Sequence, residues 1–160
     1  MKKPLVIVIL IALLVPTCSW WFSSEQVVKR RTKHLMEVLT ISEGSADPLR
    51  QAKVFSMNAM LAPEVTLDIP VTEEANGTFD QGLMESVFST ICKKAKSSEF
   101  KVTEFRSIVI DGDTATVNVF VEGYMEIFKL RPVDGIYDVT IIWEKGEDGW
   151  RFSRVDWDDP

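Results

Sequence analysis

One histidine and two cysteines are all the soft metal ligands that this chain of 160 residues possesses. A structural zinc site takes four nitrogen or sulfur ligands and a catalytic one about three. No His or Cys pair here has metal-ligand spacing, so no metal site is expected. Cys18 ends an apolar run and Cys92 lies in mid-chain. If the start of the chain is removed, or Cys18 is lipidated, Cys92 has no partner within the chain and reads as a buried, inert thiol. Positive charge is short as well. Lys and Arg total 18 against 24 Asp and Glu, for a net charge of −6 and a pI near 4.9. A nucleic-acid binder would show a basic stripe and a high pI, so no nucleic-acid partner is expected. The one basic cluster, Lys29-Arg30-Arg31 with Lys33, directly follows the apolar run and reads as its flank or as helix surface. No cofactor-binding or catalytic motif stands out, and no cofactor is expected.

What is present fits one packed domain: 46% of the residues are apolar and 26% charged, a composition unlike that of disordered chains. The first 24 residues stand apart. Lys2-Lys3 precede the unbroken apolar run Leu5 to Val15, and Pro16-Thr17-Cys18-Ser19 follow. This is the charged start, short apolar middle and small-residue end of a secretory signal. The run is too short to span a bilayer alone, which takes roughly 20 residues. Extended through Trp20-Trp21-Phe22 it reaches about that length, so a retained anchor is an alternative. Val15-Pro16-Thr17-Cys18 also resembles a degenerate lipobox, which makes Cys18 a lipidation candidate. Residues 1–24 are therefore read as a signal peptide, lipoprotein signal or N-terminal anchor, and residues 25–160 as the exported domain, in the bacterial periplasm or envelope.

Three helices and a short strand are predicted next. Ser23 or Ser24 caps a first helix with apolar positions Val28, Leu35, Val38 and Leu39 on one face, ending at Glu43-Gly44. Asp47-Pro48 opens a second helix that runs to Leu61. Glu64 to Pro70 alternates as a strand, and Thr72 to Gly77 is a polar loop. A third helix runs from about Asp80 to Lys96, with Lys93, Lys94 and Lys96 as its solvated end.

From Phe100 onward the pattern changes to alternation. Asp111-Gly112-Asp113 and Gly146 to Gly149 mark tight hairpins between long strands, giving an antiparallel meander. Strict alternation puts Ala115, Val117, Val119 and Val121 on one face, and Tyr137, Val139, Ile141 and Trp143 on one face of the next strand. On the last strand it sets Trp150, Phe152, Arg154 and Asp156 against Arg151, Ser153, Val155 and Trp157. One face takes the helices. The other, with Phe120, Ile142, Val155 and Trp157, is expected to meet a second copy of the chain. Gly123 inside a long strand predicts a bulge or bend.

The order helix, helix, short strand, helix, four antiparallel strands resembles the nuclear-transport-factor-2-like, or SnoaL-like, superfamily. Three stretches carry the likeness: Leu61-Ala62-Pro63-Glu64-Val65-Thr66-Leu67-Asp68-Ile69-Pro70, Ile110-Asp111-Gly112-Asp113-Thr114-Ala115-Thr116-Val117 and Asp148-Gly149-Trp150-Arg151-Phe152. The likeness as a whole covers roughly Glu25 to Trp157. The resemblance implies an α+β cone, in which a curved antiparallel sheet wraps a long first helix with two further helices beside it. It also implies a family of isomerases, cyclases and dehydratases together with non-catalytic binding and assembly domains. In the isomerases an Asp before a proline in the first strand is the general base. Asp68 stands in that segment, with Ile69 between it and Pro70. The first helix has no Tyr for an oxyanion hole, and no second acid matches.

Face assignment makes Asp68, His34, Arg106, Arg154 and Asp156 the polar candidates for the pocket. Asp68 or His34 would be the acid or base of a small cofactor-free isomerase, dehydratase or cyclase; a loop cap and a helix-edge histidine are the structural alternatives. Arg106, Arg154 and Asp156 would contact a ligand, or Arg154 and Asp156 would form a rim ion pair. The preferred reading is a non-catalytic envelope domain binding a small apolar ligand or a protein partner. The two readings predict different cavities. One of roughly 300 Å³ or more, reached by Asp68 and His34 together, would serve an enzyme. One filled by Met and Phe side chains would serve binding or assembly.

Overall fold

A computed structural model describes residues 23–69, 76–127 and 132–158; the candidate lipidation site Cys18 and almost all of the export segment lie outside the described residues. Helix α1 covers Ser24–Leu39 and α2 Asp47–Asn58. Strands β1 (Leu61–Asp68) and β2 (Gly77–Asp80) lead into α3 (Gln81–Lys94). Four long strands follow: β3 (Ala95–Asp111), β4 (Thr114–Ile127), β5 (Val133–Gly146) and β6 (Gly149–Asp158). Among the described residues no helix is long and apolar enough to cross a membrane.

Local chemistry explains the element starts. Ser23 Oγ accepts from the Gln26 amide, and Pro48 sits in the first turn of α2. Asp80 Oδ1 accepts from the Leu83 amide at 2.8 Å, which caps α3; each of these contacts meets one of the unpaired donors of a first turn, or supplies a residue that lacks one. Both hairpins turn on a glycine in the left-handed region, Gly112 at φ 58° and Gly149 at φ 96°, where a Cβ would be strained.

Several ends differ from expectation because the sheet claims them. Helix α1 stops at Leu39, not at Gly44. Ile41 exchanges both backbone hydrogen bonds with Ser98, at 2.8 and 2.9 Å, and Ser98 Oγ donates to the Leu39 carbonyl at 2.6 Å. Thr40 and Ile41 are thereby drawn into extended backbone. Likewise α2 stops at Asn58, and Leu61 already begins β1. Ala95 begins β3 directly after α3, five residues before the expected strand. Strand β2, which the sequence reading left out, pairs antiparallel with β1, and the Thr66 and Thr78 hydroxyls meet across the pair at 2.9 Å.

The six strands form one curved sheet in the order β2-β1-β6-β5-β4-β3. The meander β3 to β6 is antiparallel, as expected, while β1 joins β6 in parallel. The sheet wraps α1, so the architecture is the α+β cone. Ala115, Val117, Val119 and Val121 of β4 and Tyr137, Val139, Ile141 and Trp143 of β5 all point inward and are buried, as alternation predicted.

Bulges break that alternation on the two flanking strands. In β6 the pairs Ile142↔Arg154 and Trp143↔Phe152 leave Ser153 as an extra residue. In β3 the pairs Val102↔Val121, Glu104↔Phe120 and Phe105↔Val119 leave Thr103 extra, and Phe105↔Val119, Ser107↔Asn118 and Ile108↔Val117 leave Arg106 extra. Each extra residue exchanges the two faces beyond it. Val155 and Trp157 therefore join Trp150 and Phe152 inside, and are not part of the open face. No register shift occurs at Gly123, so the expected bulge is absent there. It pairs regularly with Phe100 and Gly135, and a Cβ on it would come within 3.1 Å of the Phe100 ring. The glycine makes room for an aromatic ring.

Candidate functional site: an apolar cavity in the mouth of the cone

The cone is solid at one end and hollow at the other. Around the first half of α1, Val28 and Thr32 are fully buried against a floor that includes Ala115, Val117, Trp143 and Trp150. The last turns of α1 meet a cavity instead. Leu35, Met36 and Leu39 border a space of about 200 Å³. Helix α3 contributes Met84, Phe88 and Ile91, and the sheet contributes Val121, Val139, Ile141, Val155 and Trp157. At its edge Leu67 and Ile69 of the β1 end, Met125 of β4 and the exposed Val87 form a rim. Every bordering residue is apolar in character; four are methionines and three are phenylalanines. Methionine side chains are unbranched and polarisable and re-pack readily around an irregular guest.

One bordering side chain holds a polar atom that the cavity does not expose. Trp157 Nε1 is shielded from solvent and has no hydrogen-bond partner. Tyr137 packs edge-on against the Trp157 ring, with centroids 4.6 Å apart.

The candidates named from sequence lie elsewhere. Asp68 is exposed; it ends β1 beside Asp156 of β6, and its neighbours Leu67 and Ile69 are the ones that border the cavity. Arg154 donates through Nε to both carboxylate oxygens of Asp156, at 2.7 and 2.9 Å. These three are neighbours on the outer face. Arg106 is also outside, where it pairs with Asp138 and lies 5.1 Å over the Phe120 ring. His34 is exposed on the far side of α1, 3.2 Å from Glu37, and borders a separate open groove with Arg30 and Arg31. The cavity is thus reached by none of the five. Among the described residues no group of three His, Cys, Asp or Glu comes together in a metal-binding arrangement.

Strict alternation had turned Arg106, Arg154 and Asp156 inward, and the bulges at Thr103 and Ser153 turn them out. The charges themselves were the signal: three ionisable groups on the helix-facing side would have been desolvated at a cost of several kcal/mol each. The same bulge brought Val155 and Trp157 to the cavity, and no local sequence feature marked them for it.

No family model matches the sequence, and no curated protein does. Solved structures do match in fold. A nuclear-transport-factor-2-like superfamily protein from Salmonella enterica aligns with a TM-score of 0.62 at 14% identity, over 86% of this chain and 90% of its own. A protein named as a candidate dehydratase of that family, from Streptomyces avermitilis, aligns at 0.59 and 14%, over 83% and 92%. The hub homology domain of a calmodulin-dependent kinase II from Chlamydomonas reinhardtii aligns at 0.58 and 16%, over 85% and 97%. The fold is the nuclear-transport-factor-2-like cone. At such identities, and across names as different as these, the likeness speaks for the fold alone.

Proposed function

We propose that the chain is a non-catalytic binding domain whose cone holds a small apolar ligand. One observation carries this reading: every side chain bordering the cavity is apolar, and neither Asp68 nor His34 reaches it. A cavity of this size and lining excludes water and takes an apolar guest, as dry cavities of about 150 Å³ do. Acid or base catalysis there would need a proton-transferring group other than Asp68 or His34.

The export reading of residues 1–24 places the domain in the bacterial envelope, released or tethered. It also sets an orientation. At 1.5 Å per residue the eleven steps from Ser24 to Leu35 put the cavity about 16 Å from the start of α1. A tether at the N-terminus would leave the mouth facing away from the membrane. The outer sheet face offers a second contact. Ile136 and Val109 are 55% and 56% exposed, and Phe120 and Ile142 are half-buried on the same face. A homodimer or an envelope protein partner would cover them.

Native purification followed by mass spectrometry tests the ligand. A small apolar molecule is expected at near-stoichiometric level in the native chain and is expected to be lost in Val139→Phe, which fills the cavity from β5. Equal retention by Val139→Phe, or an empty native chain that binds no apolar compound added afterwards, would defeat the reading. Sedimentation at micromolar concentration tests the dimer, and a monomer there would count against it.

A further inference from the structure

We infer that the open groove between α1, the end of α2 and the β5–β6 hairpin is a binding site for a phosphate ester, with its phosphate group held between Arg31 and Arg151. The site is separate from the apolar cavity and does not depend on that cavity holding a ligand.

The fold divides the basic cluster of α1 in two. Lys29 and Lys33 turn toward β3, where their ammonium groups lie 4.9 and 5.9 Å from the centre of the Phe105 ring. Arg30, Arg31 and His34 turn the other way. With Val27, Ser56, Ala59 and Met60 they border a groove of about 510 Å³. A further cation reaches it from β6: Arg151 donates through Nη1 to the carbonyl of Ala59, one of the groove residues. Arg31 Nη2 lies 3.6 Å from the point that a Cβ on Gly149 would occupy, two positions before Arg151. Helix and hairpin thus bring two guanidinium groups together from distant parts of the sequence.

This arrangement works against folding. Burial, and then the neighbouring charge of Arg151, hold the Arg31 guanidinium below its ordinary value, although an arginine stays charged all the same. Among the described residues Arg31 makes no hydrogen bond or ion pair. The carboxylates nearby are exposed and serve other cations: Asp148 meets Arg151 Nη2 at 3.2 Å, and Glu37 meets His34 at 3.2 Å. In a chain of net charge −6, a half-buried cation beside a like charge and without a counter-charge marks a functional site. The missing counter-charge is one that a ligand brings.

Two guanidinium groups from different elements favour a phosphate over a carboxylate. Each presents a planar fork of N–H donors. A phosphate monoester offers three oxygens and a charge of about −1.5 to −2, whereas a carboxylate offers two oxygens and a single charge. Val27, Ala59 and Met60 border the space left for the esterified part. Two sources share this chemistry. The seven steps from Ser24 to Arg31, at 1.5 Å each, put the groove about 10 Å from the start of α1. On the tether reading that is the level of lipid headgroups. The other source is a soluble phosphate ester.

Glycerol 3-phosphate and dihexanoyl phosphatidic acid carry the same phosphate monoester and differ by two short acyl chains. Each is titrated into the full chain below its micelle concentration and followed by calorimetry, with acetate at matched ionic strength as the carboxylate control. Arg31→Gln is expected to weaken binding about tenfold or more, the range of a hydrogen bond to a charged group. Lys29→Gln removes the same charge from the other side of α1 and is expected to stay within about twofold. Tighter binding of the lipid, lost in Arg31→Gln, assigns the source to a membrane; equal affinities assign it to a soluble ester. Arg31→Gln also relieves a like-charge contact, so without ligand it is expected to melt no lower than the wild type. A lower melting temperature would make Arg31 a structural residue and overturn the site. Equal affinities in wild type and Arg31→Gln, equal losses in Lys29→Gln, acetate binding as tightly as glycerol 3-phosphate, or no binding of either phosphate at millimolar concentration would overturn it too.

Discussion

Trp143 donates its indole N–H to the hydroxyl of Thr32 at 3.2 Å, and both residues are buried completely. This contact joins the middle of α1 to β5 across 111 positions of sequence. It is a buried polar pin of the packed end of the cone. Thr32→Val keeps the shape and deletes the acceptor. It is expected to destabilise the chain by about 1–3 kcal/mol, the cost of a buried unsatisfied donor. Trp143→Phe in the Thr32→Val background should cost less than the sum of the two single changes, read from a double-mutant cycle in urea. Full additivity would show that the pair does not interact.

Arg50 ties α2 to the end of α3. It donates to the carbonyls of Cys92 and Ala95, and its Nε donates to the Ser45 carbonyl and hydroxyl at 3.2 and 3.0 Å. Its charge sits at the negative end of the α3 dipole. Arg50→Met, which keeps the stem and removes the fork, is expected to cost about 2–3 kcal/mol. Arg50→Lys should recover less than half of that, because a single ammonium cannot span both carbonyls and the Ser45 loop. Thermal unfolding of the three proteins checks the ranking.

Gly135 lies under the Tyr137 ring. A Cβ placed there would come within 2.9 Å of Tyr137 Cζ and Oη, and Tyr137 is itself held against Trp157. Gly135→Ala is expected to cost about 1–3 kcal/mol through overpacking and to weaken ligand retention by shifting Trp157. Gly123→Ala, whose nearest ring atoms are 3.1 Å away, should cost less. The loss at Gly135 is expected to shrink in a Tyr137→Leu background, measured by denaturation.

Burial holds the Cys92 thiol above its ordinary value of 9.0, although the charges of Arg50 and Lys53 pull the other way. The folded chain therefore binds this proton more tightly than the unfolded chain does. The resulting stability is complete below the unfolded value and is lost as pH rises through the folded one. Wild-type stability is expected to fall, as pH rises above about 9, more steeply than that of Cys92→Ala. The native thiol should also resist alkylation at about pH 8, where an exposed one reacts. Parallel slopes for the two proteins would refute the assignment.

Much of the fold was legible in the sequence because it rests on local chemistry. Ser23 and Asp80 start helices through their own side chains. Gly112 and Gly149 close hairpins through their backbone freedom. The inward sets of β4 and β5 follow from alternation, because those central strands carry no extra residue between them. The candidate site was less legible. Its walls come from all three helices and five strands, so no stretch of sequence contains it. The polar residues that drew notice, Asp68, His34, Arg106, Arg154 and Asp156, drew it because they are charged or titratable, and in this fold such groups are outside.

By itself the sequence determined the elements, their order and the inward faces of the central strands, because helix caps, glycine turns and period-two patterning act over a few residues. Only the tertiary structure decided where α1 ends, which faces of β3 and β6 turn inward, and that a cavity remains. Those outcomes depend on how strands of unequal length match across a curved sheet. The match needs an extra residue at Thr103, Arg106 and Ser153, and each one exchanges inside for outside along the rest of its strand. Trp157 faces the cavity, and Arg154 faces solvent, for that reason.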